Sequence, residues 1–178
     1  MSTLREEFNL DADAQLLITA IRAIRAWRYR PTRQALTSVA YQGTRWTPDW
    51  NTADCAEKKG GDPYWSNVPP HRVGDTLQHP SGRPHKHQCG FYGYWKGSVN
   101  TFAKDYREAH LVEGVIELAG MVSTHSRGVR GERARIVALV PHPQHGPDVA
   151  DHLAGLYGVP LYPTLADALA DYPLEEGL

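Results

Sequence analysis

Apolar residues recur at spacings of three and four near the start of the sequence. This spacing places them on one stripe of a helix, while the arginines between them face solvent. Asp13 is positioned to cap the helix at its N-terminus. The pattern therefore predicts a helix that runs from Asp13 to about Trp27, and residues 1–26 are assigned as the N-terminal helix part of the domain. The stripe consists of Leu17, Ala20, Ile21, Ile24 and Trp27.

The apolar pattern changes after this helix and then disappears. The segments WRYR and QALTSVAY read as strands, with a turn at Pro31 and Thr32. From Thr47 to Arg83 prolines and glycines interrupt the chain and no apolar period remains. A structureless run of this length is uncommon inside a compact domain, so something is expected to hold it in place. We therefore predict a long irregular loop over residues 47–89 that is tied down by a metal ion.

Regular patterns return after Cys89. GFYGYW reads as a strand and VNTFAKDYREA as a short helix, and LVEGVIELAGMVSTH and ERARIVALV as a hairpin around the turn SRGVRG. A helix from about Asp148 to Tyr157, a short strand VPLY and a last helix capped by Thr164 complete the chain. The prediction is one α+β domain over residues 1–178, with antiparallel strands, an N-terminal helix and peripheral C-terminal helices. Residues 90–178 form its strand and helix part.

Composition narrows the class of protein. The 178 residues are 41% hydrophobic and 22% charged, which is typical of a globular domain. No apolar run is long enough to span a bilayer, and the acidic N-terminus lacks the apolar core of a secretion signal. We therefore expect a cytoplasmic protein that does not contact a membrane. Only two cysteines occur, which in that compartment favours reduced thiols or a metal site.

The charges are distributed unevenly along the chain. Six arginines and no acid lie between Ala14 and Pro48, whereas no lysine or arginine follows Arg135. The pattern fits an anion-binding face. A dipolar molecule whose two ends attract each other or a neighbouring copy is the favoured interpretation, because the nearly neutral net charge is unlike that of a dedicated DNA-binding domain. Aromatic residues accompany the arginines, among them Trp27, Trp46 and Trp50. The candidate binding residues are Arg22, Arg25, Arg28, Arg30 and Trp46.

The segment RPHKHQC carries the strongest metal-binding signal. Zinc takes four ligands from thiolate and neutral imidazole, and alternate residues such as His87 and Cys89 face the same side of an extended chain. Cys55 supplies a third ligand from the far end of the loop. We favour His79 as the fourth, with His71 and His85 as alternatives. Four protein ligands close the shell, so the predicted zinc is structural; the alternative is that the cysteines are buried apolar residues and the histidines lie on the surface.

The order AWR, Trp46, ADC, CGFYGYW and VEGVIELAG…GVRGERARIVAL resembles a family of small uncharacterised proteins of actinobacteria and their phages. Those proteins show a lone cysteine, a later histidine, a CxCGIYA box, a GxVxLWGxV strand and a GxRAE motif. The resemblance runs from Trp27 to about Pro160 and implies metal ligands at Cys55, a histidine before the box, His87 and Cys89. Here His87 stands at the first cysteine of the box and Ala119 replaces the tryptophan. The family implies zinc but no activity.

Two functions are consistent with these residues. The first is a non-enzymatic, zinc-stabilised binding module, associated with a phage or its host, whose arginines and aromatics contact a protein or a nucleic acid. The alternative to this first function is a purely structural role, in which the aromatics are core residues and the arginines form a solvated rim around them. The second function is an ADP-ribosyltransferase-like enzyme that uses the GFYGY strand and a downstream carboxylate from Glu113, Glu117 or Glu132.

Overall fold

The computed structural model of the protein describes residues 15–39, 45–53, 76–78, 84–86, 90–96, 111–142 and 145–175. Within these ranges the strands are β1 (Gln15–Arg30), β2 (Ala35–Ser38), β3 (Asn51–Thr52), β4 (Thr76–Gln78), β5 (Pro84–Lys86), β6 (Phe91–Tyr94), β7 (Leu111–His125) and β8 (Gly128–Pro141). The helices are α1 (Pro147–Tyr157) and α2 (Leu165–Asp171).

The long strands form a closed antiparallel barrel. β1 pairs with β7, β7 pairs with β8 in a hairpin, β8 pairs with β6, and β6 returns to β1 at Ile24 and Tyr94. β2 and β3 extend this circuit at β1 and β8, while β4 and β5 pair in a separate hairpin. The ring closes through this one residue pair, because β6 has four residues whereas β1, β7 and β8 have 16, 15 and 14.

The predicted α+β class is wrong, because the N-terminal segment is strand β1 and not a helix. Ala23, Trp27 and Tyr29 are buried on the inner face of β1, and Ile24 and Ala26 are buried on its outer face. A strand buried on both faces loses its polar alternation, so its apolar residues fall at helical spacings by coincidence. The described protein is mainly antiparallel β-sheet with two C-terminal helices.

The core has two parts, one on each side of the sheet. The inner part joins Trp27, Trp46 and Phe91 with Leu153 and Tyr157 of α1. The outer part is smaller and joins Val115 and Ala138 of the sheet with Ala168 of α2, together with partly buried residues around them. α1 therefore packs against residues of the inner core, and α2 packs against the outer face of the sheet.

Local sequence signals at the C-terminal end are confirmed. α1 spans nearly the predicted residues and is followed by Gly158 in the left-handed conformation, with φ of 63°. The Thr164 side chain accepts a hydrogen bond of 3.2 Å from the backbone N–H of Asp167, which caps α2. The predicted strand VPLY contributes only one bridge, between Leu161 and Leu139.

The β7–β8 hairpin is also confirmed, although its turn is shorter than predicted. The turn comprises Ser126 and Arg127, and β8 begins at Gly128. Gly120 has a φ of 80° and lies within one of two register shifts between these strands, as expected for a bulge. The predicted helix after Ser98 lies outside the described residues, as does most of the 47–89 loop. Neither helix in the described ranges has the length and apolarity needed to cross a bilayer.

Glycines permit the contact that closes the barrel. A Cβ atom added to Gly93 of β6 would lie 2.4 Å from the Cβ of Ala23 on β1. A Cβ on Gly128 of β8 would lie 2.1 Å from the carbonyl oxygen of Gly93. Both distances are far inside van der Waals contact, so β6 can pack this closely against its two neighbours only because these positions lack side chains.

Gly93→Ala is therefore expected to destabilise the protein by roughly 1–3 kcal/mol, because the added methyl group overpacks the closure. Gly155→Ala is the matched control. A Cβ at Gly155 of α1 meets nothing within 4 Å, so this change should stabilise the protein by about 0.5–1 kcal/mol through helix propensity. Urea unfolding of both variants measures the difference, and equal stability of the two would contradict the described closure.

Candidate functional site

β1 pairs with β7 along one edge. Along its other edge the partner changes from β6 to β2, and Arg25 lies at this change. This edge meets β6 at Ile24 and β2 from Trp27 onward. The Arg25 side chain spans the seam between those two strands. Its Nη1 donates to the Tyr92 carbonyl oxygen of β6, and its Nη2 donates to Ser38 Oγ of β2 at 3.0 Å. One side chain thus links two strands that do not pair with each other here.

An aromatic cluster lies against the Arg25 guanidinium. The central carbon of the guanidinium lies 4.9 Å from the ring centroid of Trp46, which is the geometry of a cation–π contact. Trp46 is 1% exposed and packs edge-on against Trp27, with 5.4 Å between ring centroids. Trp46 Nε1 also reaches Ser38 Oγ at 3.4 Å. The ring is fixed beneath the guanidinium and does not face solvent.

The charge of Arg25 is not balanced by a carboxylate within the part of the chain that the structure describes. The Arg25 Nε atom is inaccessible to solvent and has no hydrogen-bond partner there. Burial lowers the pKa of Arg25 to about 10, an effect that Tyr94 and Tyr92 partly oppose. The group therefore stays cationic at neutral pH. An unpaired buried charge costs several kcal/mol, of which a desolvated cation–π contact returns about 2 kcal/mol.

A second arginine-rich site lies on the outer face of the barrel. Arg22, Glu117 and Arg135 stand opposite one another across β1, β7 and β8. The Glu117 carboxylate lies 2.6 Å from Arg135 and 3.5 Å from Arg22, so one acid is shared by two bases. Because alternate residues of a strand share a face, Arg133 lies on the same side as Arg135.

Trp50 completes this site. The guanidinium carbons of Arg133 and Arg135 lie 5.1 Å and 4.9 Å from its ring centroid. Trp50 is half-buried, and both arginines are exposed. We call Arg22, Trp50, Glu117, Arg133 and Arg135 the outer arginine cluster. A second carboxylate lies beside the cluster, because Glu175 Oε2 accepts a hydrogen bond of 2.7 Å from the Arg22 backbone N–H. Three guanidinium groups and these two carboxylates leave a surplus of one positive charge, on the side where Arg133 contacts the indole.

The five candidate binding residues do not form one surface. Trp46 is in the core, and Arg25 faces the barrel interior with Trp27. Arg22, Arg28 and Arg30 share the opposite face of β1 by alternation, and all three side chains are half-buried. The binding function assigned to these residues stays a prediction.

Arg133 and Arg135 were not among the binding residues predicted from the sequence. Their spacing within the predicted strand ERARIVALV was the available signal, because residues two apart lie on one face. The carboxylates of the enzyme alternative are partly engaged: Glu117 is ion-paired, and Glu132 Oε2 accepts a hydrogen bond from the Met121 backbone N–H at 3.1 Å.

The predicted zinc ligands Cys55, His79, His87 and Cys89 lie outside the described residues, as does His71. His85 lies in β5, where it pairs with Leu77 of β4. Among residues that the structure describes, no group of three or more His, Cys, Asp or Glu side chains is placed to hold a metal. The zinc site and its fourth ligand therefore stay predictions.

A polar group is buried at the β6–β8 pairing. Arg130 is 2% exposed, and its guanidinium carbon lies 5.9 Å from the centroid of the Tyr92 ring. Burial and, to a smaller extent, the nearby positive charge of Arg130 together lower the pKa of His125 to about 4. His125 is therefore neutral in the folded protein at physiological pH. Its backbone carbonyl accepts a hydrogen bond of 2.9 Å from Trp95 Nε1.

No protein-family model, curated protein or solved structure matches the chain. The function of the protein is therefore inferred from the geometry of its own residues.

The pKa of His125 predicts a loss of stability in mild acid. The unfolded chain takes up this proton near the ordinary value of 6.5, and the folded chain only near 4. The unfolded state binds more protons between these values, so the free energy of unfolding falls as pH falls from 6.5 to 4. Chemical unfolding at several pH values should show a smaller decline for His125→Phe. An identical pH dependence in the two proteins would refute the burial of this imidazole.

For the zinc site, elemental analysis of the purified protein should find about one equivalent of zinc. Cys89→Ser should lose the zinc and much of the stability, because the remaining ligands form a poor site. Separate His71→Ala, His79→Ala and His85→Ala variants identify the fourth ligand as the one whose loss removes the metal. A folded wild-type protein without metal would overturn the zinc prediction.

Proposed function

We propose that the protein is a non-enzymatic binding module for single-stranded nucleic acid and that the outer arginine cluster forms its contact surface. The observation that carries this proposal is the placement of Trp50 within about 5 Å of two exposed guanidinium groups. Stacking on an aromatic ring and neutralisation of phosphates are the two contacts that single strands make with proteins of this kind. Here both are supplied within one cluster.

The charge of the cluster favours a nucleic acid over a protein. Glu117 already has two arginine partners, which leaves Arg133 and part of the positive charge for a ligand. A flexible strand can place successive phosphates beside these groups and a base beside the indole. A protein partner that used the same arginines would need a matching pair of carboxylates. The surplus of positive charge alone would suit either partner, but an indole in contact with two cations suits the alternation of base and phosphate in a nucleic acid.

The scaffold gives this surface a fixed shape. Arg133 and Arg135 project from β8, which is paired on one edge with β7 and on the other with β3 at Ala134 and Arg133. Asn51, next to Trp50, is held by hydrogen bonds from its side chain to Thr47 and Asp49. Pairing at both edges fixes the backbone positions of the two arginines, so ligand binding would cost rotamer freedom of their exposed side chains but no ordering of the backbone. The predicted zinc would restrain the segment that follows β3.

Fluorescence anisotropy with a labelled single-stranded oligonucleotide tests the proposal. Trp50→Ala should weaken binding by the value of one stacked base, about 1–3 kcal/mol, or roughly 5–150-fold. The double variant Arg133→Ala, Arg135→Ala should also flatten the dependence of affinity on salt. The slope of log K against log salt should fall by about 0.7 for each phosphate contact that is lost.

Arg33→Ala is the matched control, because Arg33 is also exposed but lies in the β1–β2 turn, outside the cluster. It should change affinity and salt slope little. Titration with the corresponding duplex and with an acidic peptide separates the alternatives. Equal binding of the wild-type protein and the Trp50→Ala variant, or a preference for the peptide, would exclude single-stranded nucleic acid as the ligand of this surface.

A further inference from the structure

We propose that Arg25 and Ser38 bind an oxyanion, a phosphate or carboxylate group of a small ligand, at the seam between β2 and β6. This site lies on the inner face of β1, whereas Arg22 of the outer arginine cluster lies on the opposite face. The inference does not rest on the nucleic-acid proposal, and either can fail alone.

Arg25 has hydrogen-bond donors that its contacts leave unused. Tyr92 O and Ser38 Oγ each accept one N–H from a different terminal nitrogen of the guanidinium. The Nε–H is buried and has no acceptor among the described residues. The contacts that hold the side chain therefore leave donors in the fixed planar fork that matches the oxygens of a carboxylate or phosphate.

The hydroxyl of Ser38 also has an unused donor, because its oxygen already accepts two hydrogen bonds. Its hydroxyl oxygen accepts hydrogen bonds from Arg25 Nη2 and from Trp46 Nε1, which occupy both of its acceptor positions. The remaining function of the hydroxyl is to donate its own proton. Within the described ranges no acceptor for that proton is found, although Ser38 is 4% exposed. In the described part of the chain, a buried hydroxyl without an acceptor therefore lies beside a cation without an anion, which indicates an anionic ligand at the same place.

A purely structural role explains these features less well. A residue needed only to join β2 to β6 would not require a permanent charge in a buried position, where the charge is costly without an opposite one. The cation–π contact with Trp46 holds the guanidinium in place but does not neutralise it. Arg25 also retains some solvent-accessible surface, so the seam is not sealed over the residue.

The experiment follows the Arg25 Nε–H by nuclear magnetic resonance in the ¹⁵N-labelled full chain. Because this proton is shielded from solvent, it should give a signal that is lost in Arg25→Met. Inorganic phosphate and acetate are titrated separately at constant ionic strength, with chloride as the reference anion. A saturable shift with phosphate alone identifies a phosphate ligand, a shift with acetate alone a carboxylate, and a shift with both a general oxyanion site.

Ser38→Ala should weaken this binding about tenfold, because it removes the hydroxyl donor to the anion and the acceptor that holds Arg25 Nη2. The arginine charge is unchanged, and the protein should remain folded. Arg33→Met, which removes an exposed arginine from the β1–β2 turn, should leave the titration unchanged. If the Arg25 signal is present and neither anion shifts it beyond the chloride reference, Arg25 only clasps the strands and the proposal is wrong. Equal anion affinity of Ser38→Ala and wild type would remove Ser38 from the site.

Discussion

The close approach of β6 to β1 and β8 is the constraint on which the rest of the structure depends. It requires positions without side chains at Gly93 and Gly128, and it converts a hairpin and two flanking strands into a closed ring. The interior that results is filled by Trp27, Trp46 and Phe91. It also forces β6 and β2 to share one edge of β1, and this sharing creates the seam that Arg25 spans.

The barrel wall separates the arginines of the N-terminal strand by chemistry as well as by position. Arg22 faces outward, where water and a carboxylate moderate its charge. Arg25 faces inward, where burial lowers its pKa and an indole contacts the guanidinium without neutralising it. Residues three apart in the sequence, which a helix would place side by side, therefore belong to different environments. The single arginine-rich face suggested by composition becomes two sites of different character.

Signals confined to neighbouring residues allowed correct predictions. The β7–β8 hairpin, the helix near Asp148 and the Thr164 cap depend on turn and capping residues that act locally. The N-terminal strand was mistaken for a helix because its second buried face results from packing between distant segments. The contacts of Arg25 were hidden for the same reason, since Ser38 and Tyr92 meet it only after closure. Trp50 and Arg133 likewise meet only through the pairing of β3 with β8.

The Glu117 carboxylate, which Arg22 and Arg135 share, would also limit which anions can bind to these arginines. It is 12% exposed and holds Arg22 and Arg135 at once, so an incoming anion must compete with an acid that is already in place. A lone anion gains one contact and displaces another, with little net benefit. A ligand with several linked anionic groups can recruit Arg133 first and then exchange with Glu117 at high local concentration. If the outer arginine cluster binds nucleic acid as proposed, it would therefore favour polymers with several linked anionic groups over free anions.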